Sequence, residues 1–315
     1  MSLYLTEADV TRLLSMADAL DAVERAFRLH GQGDAINIAR SRVRLPGSTL
    51  QVMSGGSAEL NLFGLKTYTT TKQGARFVVL LFQADTGILL AMMEADRLGQ
   101  MRTGAASGVA TKYMARQEAQ TVGLVGTGWQ ARTQLAAVCG VRPITRINAF
   151  GRDEARREAF CNELSETLGV PVLPAPSAEQ AVRDADIVIT VTNAREPVLL
   201  GQWLKPGVHV NAAGSNALIR CEIDEETVRR AKLVVVDSKE QAKIECGDLL
   251  GPIERGVIHW DQVRELGEIV AGRCPTRQTP EDFTLFESQG LAIEDIAVAA
   301  VVYERALAQG IGRDL

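Results

Sequence analysis

The segment Thr121–Ala131, TVGLVGTGWQA, limits the fold more than any other part of the chain. An apolar run breaks at Gly126-Thr127-Gly128 and resumes with a helical pattern. It reads as a strand, a tight turn and a helix whose first amides face the turn. A helix N-terminus presents unpaired N–H groups and the positive end of its dipole, and so favours a pyrophosphate. Gly126 permits the turn, Gly128 removes the Cβ that would block a phosphate, and Ala131 lets the helix pack on the strand. An ordinary βα turn can carry the same spacing. Here alternating strands and helices follow it, which points to dinucleotide binding.

With 315 residues the chain is long enough for two domains. Capping boxes at Thr6–Asp9 and Ser15–Asp18 predict two opening helices. Extended segments follow at Arg42–Leu45, Thr49–Met53, Phe63–Thr70, Phe77–Phe82 and Ile88–Met93, each bounded by turn residues. A long helix, Asp96–Arg116, carries Gly104 and Gly108 on a face open to close approach. Beyond it, strands are predicted at Thr121–Val125, Arg146–Phe150, Val170–Leu173, Ile187–Thr190, Val208–Asn211, Leu233–Val236 and Thr284–Phe286. Helices such as Glu154–Leu168 and Glu222–Ala231 separate them. The expected fold class is α/β, with a Rossmann-type doubly wound parallel sheet domain over 117–292. An α+β domain over 1–116 accompanies it, completed by the C-terminal helix within 293–315.

The net charge of −5 and the lack of a basic block argue against nucleic acid. Five cysteines without a C-x-x-C pair suggest neither zinc nor a redox couple, and no metal site is expected. They read as free thiols of a reducing compartment. The first residues have no basic run before a long apolar core, and no segment is long enough to cross a bilayer. The expectation is a cytoplasmic protein without a membrane partner.

Three basic positions stand beside apolar or tightly turning sequence. Lys66 lies in a predicted strand with at least one buried face, and Arg102 lies among small residues of the long helix. Arg40 opens the run Arg40-Ser41-Arg42-Val43-Arg44, in which a period of two would set all three arginines on one strand face. A solvated face accounts equally for the strand residues, and an interhelical salt bridge for Arg102.

The helix Ala95–Arg116, the turn LVGTGWQA, the segment GSNALIRCEID (Gly214–Asp224) and FESQGLAIED (Phe286–Asp295) occur in this order. With these motifs the chain resembles the ornithine cyclodeaminase/mu-crystallin family over almost its whole length. The resemblance implies a homodimer whose first domain binds substrate and dimerises. It also implies NAD(H) or NADP(H) as cofactor and a small amino or imino acid as substrate. Family activities are imine or ketimine reduction, amino-acid dehydrogenation and ornithine cyclodeamination, and mu-crystallin also binds a hydrophobic hormone.

By motif position, Arg40 and Arg102 match the family's carboxylate-binding arginines and Lys66 its active-site lysine. Ala39 stands where proline is common, which leaves Arg42 as the alternative to Arg40. Asn216 occupies the place of the cyclodeaminases' acid–base aspartate. An amide cannot exchange a proton in that way, which disfavours cyclodeamination. Thr127, Trp129 and Gln130 continue the pyrophosphate turn, Thr192 lies on the adenine-ribose side, and Ala213 and Ser288 lie near the nicotinamide. Met53, Tyr68 and Gln289 are candidates to line the substrate site. At the end of the second strand of the nucleotide domain, Gly151 and Arg152 stand where an NAD-binding domain usually carries an acidic residue. That favours NADP(H), with NAD(H) as the alternative.

Overall fold

In the computed structural model, which describes residues 2–315, both N-terminal capping boxes form. Thr6 and Ser15 accept the third backbone N–H of the helices they precede, and Asp9 and Asp18 return the bond. The helices are α1 (Glu7–Leu13) and α2 (Met16–Gln32). A short strand, β1 (Leu3–Leu5), comes before them and was not expected from the spacing; it buries Leu3 and Leu5.

By its contacts the chain divides into two units. One holds the residues up to Arg102 together with Gly290–Leu315, and the other holds Thr103–Gln289. The first unit contains β2 (Ala35–Leu45), β3 (Ser48–Ser57), β4 (Leu62–Thr71), β5 (Gly74–Gln83) and β6 (Leu89–Glu94). These five pair antiparallel in sequence, and β1 joins β6 in parallel. Strand β2 starts well before the predicted Arg42. The three arginines differ in burial, and the strand is irregular where the first of them lies. Ile38 pairs with Ser54 and Ser41 with Val52, so Ala39 and Arg40 together oppose Met53 in a bulge. A bulge bends its strand and re-aims side chains. Arg40 is buried, Arg42 is half-buried and Arg44 is exposed.

Helix α3 (Asp96–Met114) starts in the first unit and continues into the second. The second unit then alternates, as the sequence pattern predicts. In order it has β7 (Thr121–Val125), α4 (Ala131–Val141), β8 (Arg146–Phe150), α5 (Glu154–Leu168), β9 (Val172–Pro174), α6 (Ala178–Val182) and β10 (Ile187–Thr190). Next come β11 (His209–Ala212), α7 (Glu225–Arg230), β12 (Leu233–Val236), α8 (Lys239–Glu245), α9 (Gly247–Glu254), β13 (Arg264–Glu265), α10 (Leu266–Val270) and β14 (Thr284–Glu287). The sheet is wholly parallel, in the order β13-β12-β14-β11-β10-β7-β8-β9. Both of its faces are covered, as a parallel sheet requires. Ile187 and Ile189 pack with Leu124, Leu135 and Phe160, while Val188 points the other way, to Val210, Leu249 and Leu285.

One predicted helix is shorter than expected. Residues 222–231 are charged enough to read as a continuous helix, yet Asp224 caps α7 and leaves Glu222 outside it. After β14 the chain returns to the first unit through α11 (Ala292–Gln309), which packs on α2 and on strands β2–β5, and then through β15 (Arg313–Asp314), which pairs with β1.

On the first unit's sheet, Ile36, Ile38, Val43 and Leu45 are each more than half exposed. Exposed aliphatic residues repeated along one strand form a patch of the kind that marks an interaction surface.

Candidate active site

In the first unit, α3, α11 and the strands β2 and β4 bring three cations together. Lys66 of β4 is 2% exposed, and its Nζ makes one hydrogen bond, to Asp295 Oδ1 at 2.9 Å. The same oxygen accepts from Arg102 Nε at 3.0 Å, and Arg102 Nη1 donates to Glu294 Oε2 at 3.0 Å. Glu294 also accepts from the Leu291 N–H, so one carboxylate both starts α11 and holds the arginine. Arg40 joins from the bulge and donates through Nη2 to the carbonyl of Gly290 at 3.3 Å.

Gly290 has a φ of +83°, and a Cβ there would lie 2.3 Å from Arg102 Nη1. Glycine both allows that backbone and leaves room for the guanidinium.

Burial costs a charged amine its hydration, and the positive charges of Arg102 and Arg40 add to the penalty, against the opposing pull of Asp295. The Lys66 pKa falls to about 8. Arg102, held by both carboxylates, stays charged. Three cations thus meet the only two buried carboxylates among the described residues of this unit. Among the described residues, no acceptor takes the remaining donors of Lys66 Nζ and Arg102 Nη2. Lys66 also lies 5.3 Å from the Phe77 ring centroid and 5.9 Å from that of Tyr68, which stacks on Phe77. Met53 is the register partner of Lys66. Sequence reasoning passed over Glu294 and Asp295. Their signal was two adjacent acids at the start of an otherwise apolar helix.

In the second unit, β7 has β8 on one side and β10 on the other, so the chain runs off in opposite directions around its carboxyl end. In sheets of this type that is where the ligand crevice opens. Gly126, at φ +108°, donates to Phe150 O at 2.8 Å, and a Cβ on Gly128 would meet nothing within 4 Å. Helix α4 begins with Gln130 at its N-cap and no side-chain cap. Open space over Gly128 and uncapped helix amides fit a dinucleotide's pyrophosphate.

A Cβ on Gly151 would stand 2.3 Å from Thr127 Oγ1, so Thr127 closes over that position. Arg152 is exposed beside it, and Trp129 is half-exposed in the turn. Thr192, Ala213 and Ser288 follow β10, β11 and β14 at the same sheet edge. Asn216 Oδ1 accepts from Arg220 Nη1 at 2.8 Å. The buried Gln289 belongs to this unit, its N–H donating to Asp237, whereas Arg40, Lys66 and Arg102 cluster in the other.

A dinucleotide-binding parallel sheet joined to a unit that carries a buried, partly balanced cation cluster defines a class of nicotinamide-dependent enzymes of small carboxylic acids. Residues 2–310 match the model of the ornithine cyclodeaminase/mu-crystallin family, and the chain belongs to that family. It is 39% identical over 276 residues to a delta(1)-pyrroline-2-carboxylate reductase of Bacillus cereus, covering 85% of each chain. Its fold matches the Thermococcus litoralis delta(1)-pyrroline-2-carboxylate reductase in complex with NADH and L-proline, with a TM-score of 0.95 and 38% identity over 99% of this chain and 100% of that one. An archaeal alanine dehydrogenase dimer with bound NAD gives a TM-score of 0.94 at 34% identity, over 100% of this chain and 98% of that one.

The cluster makes one direct expectation. Followed through its side-chain carbon resonances in selectively labelled protein, Lys66 titrates with a midpoint near 8. Asp295→Asn removes the one nearby negative charge that supports the ammonium, and moves the midpoint lower. A midpoint in the ordinary lysine range, near 10.4, would refute the cluster as described.

Proposed function

We propose that this chain is an NAD(P)H-dependent oxidoreductase that reduces the C=N bond of a small 2-imino acid, and that in reverse it oxidises the matching amino acid. The observation that carries the reading is the pair of buried cations, Lys66 and Arg102, which share one Asp295 oxygen and still hold donors for a ligand. Arg102, with Arg40, binds the substrate carboxylate through charge-assisted bonds and so fixes the adjacent carbon. That carboxylate offsets the cluster's excess positive charge. Lys66 holds a proton at Nζ that it can release near neutral pH, as reduction of an imine requires. The bound nicotinamide supplies the hydride. Gly126–Gln130 would hold its pyrophosphate, with Thr192, Ala213 and Ser288 along the rest of the crevice. Gln289, Met53 and Tyr68 remain proposed contacts of the substrate side chain.

Cyclodeamination is disfavoured. Asn216 is an amide, and Arg220 engages its oxygen. A purely hydrophobic ligand is disfavoured as well, because it would offer no acceptor to the remaining donors of Lys66 and Arg102.

The test follows NADPH and NADH absorbance with five- and six-membered cyclic ketimine carboxylates and with pyruvate plus methylamine or ammonia, while ornithine is assayed for proline and ammonia. Turnover of a ketimine carboxylate is expected, and ammonia release from ornithine is not. Arg102→Ala would break two buried ion pairs and leave Asp295 to Lys66, at a cost of about 3–5 kcal/mol in stability, so Arg102→Lys is the sharper probe. It keeps the charge and loses the planar fork. Its kcat/KM falls by roughly 10- to 100-fold, the equivalent of about 1.5–3 kcal/mol of charged hydrogen bonding. An unchanged kcat/KM would assign Arg102 to structure alone.

For the cofactor we propose a preference for NADP(H). Support comes from the absence of an acidic side chain at Gly151, where Thr127 leaves no room for one, and from the adjacent exposed Arg152. Arg152→Ala is expected to weaken NADPH binding and leave NADH binding unchanged. Equal wild-type affinities for the two would overturn the preference.

We also propose that the protein is a homodimer, formed through the exposed aliphatic patch on β2. Light scattering is expected to give twice the 34.0 kDa chain mass, and a charge in place of Ile38 to lower it. A monomer in the wild type would overturn this.

A further inference from the structure

The mechanism leaves several buried acids of the second unit without a role, Glu222 among them. Glu222 is fully buried in the second unit and lies outside the helix its sequence suggests. Its Oε1 accepts the N–H of Thr192 at 2.5 Å, and its Oε2 accepts the N–H of Gly214 at 2.7 Å and the hydroxyl of Thr190 at 3.0 Å. Thr192 belongs to the loop after β10, and Gly214 to the loop after β11. One carboxyl group therefore closes two neighbouring loops at the carboxyl edge of the sheet.

The residue itself is fixed from all sides. Its N–H donates to Asp248 Oδ1 at 2.6 Å, and its carbonyl accepts from Val198 and Leu199.

The loops meet so closely that only glycine fits between them. A Cβ on Gly214 would stand 2.2 Å from Thr192 O and 2.6 Å from Glu222 Cδ. The contact continues to the glycine turn, because a Cβ on Gly126 would stand 2.6 Å from Val191 O and 2.9 Å from Thr192 Cγ2. An unbroken series of contacts runs from Glu222 through residues 191–192 to the first glycine of the turn.

We infer that Glu222 is a positioning residue for the dinucleotide: it clamps the loops after β10 and β11 into the shape that the cofactor crevice needs, without touching the cofactor itself. Backbone N–H groups at a sheet edge need partners when buried. Water could supply them, but it would leave each loop free to shift on its own. A single carboxyl group shared by both removes that freedom.

Burial and the nearby Asp248 push the Glu222 pKa up to about 7. Either ionisation state preserves the clamp. A protonated Oε2 can still accept the Gly214 N–H while donating to Thr190. Glutamine cannot do this, since its NH2 would face an N–H donor.

The inference rests on reading this crevice as the dinucleotide site, and calorimetric titration of the full-length protein with NADH and NADPH separates the two ideas. Wild-type protein that binds neither dinucleotide defeats the reading of the site, and the inference falls with it. If the wild type binds, Glu222→Gln is expected to raise the dissociation constants of both dinucleotides by about tenfold. In turnover the loss should appear in the cofactor KM more than in kcat.

Val234→Ala, a cavity in the buried core strand β12, controls for lost stability. Compared at a similar fall in Tm, it is expected to keep wild-type affinity. An affinity of Glu222→Gln within twofold of wild type overturns the inference, as does an equal loss in Val234→Ala. Should Glu222→Gln fail to fold, Thr190→Val removes one bond from the clamp and is expected to weaken binding by about threefold. No change in that variant also overturns the inference.

Discussion

The oxygen that Asp295 shares between Lys66 and Arg102 is the constraint on which the first unit depends. It joins β4, α3 and α11, elements far apart in sequence, at a point from which water is excluded. Burying these charges is unfavourable for each alone and tolerable only for the set. An arrangement of that kind adds little net stability. It does hold a lysine in an environment where its proton is only loosely kept.

The second unit has the opposite charge problem. Glu222, Asp248 and Glu287 are buried near one another; burial raises the pKa of each, and the charge of Asp248 adds to the rise at Glu222 and Glu287. Glu222 and Asp248 are stabilised by backbone N–H groups, and Glu287 meets the Cys246 thiol. The two units therefore handle buried charge differently. Opposite side chains balance the cations in one, and main-chain dipoles serve the acids in the other.

What could be read from the sequence was local. The glycine turn, both capping boxes and the alternation of apolar strands with helices are set by spacing over a few residues, and the structure follows them. The bulge at Arg40 was not legible, because its register depends on how β3 pairs. Nor was the partnership of Lys66 and Arg102 with Asp295, which spans most of the chain and leaves no periodic trace. Glu222 was misread for a related reason. Its charged neighbours suit a helix, and only the cap at Asp224 shows where the helix starts. Gly151 was read through the acidic residue it replaces, and the structure adds a cause in the closeness of Thr127.

The return of residues 290–315 to the first unit has a consequence for synthesis on the ribosome. Residues 103–289 form one continuous stretch and can fold as soon as they emerge. The strands made before them cannot, because the helix that covers their sheet and supplies both carboxylates to Lys66 and Arg102 is made afterwards. Until then the apolar face of that sheet and its cations wait without partners. The nascent first third therefore has the greatest need of chaperone protection, although it is translated first.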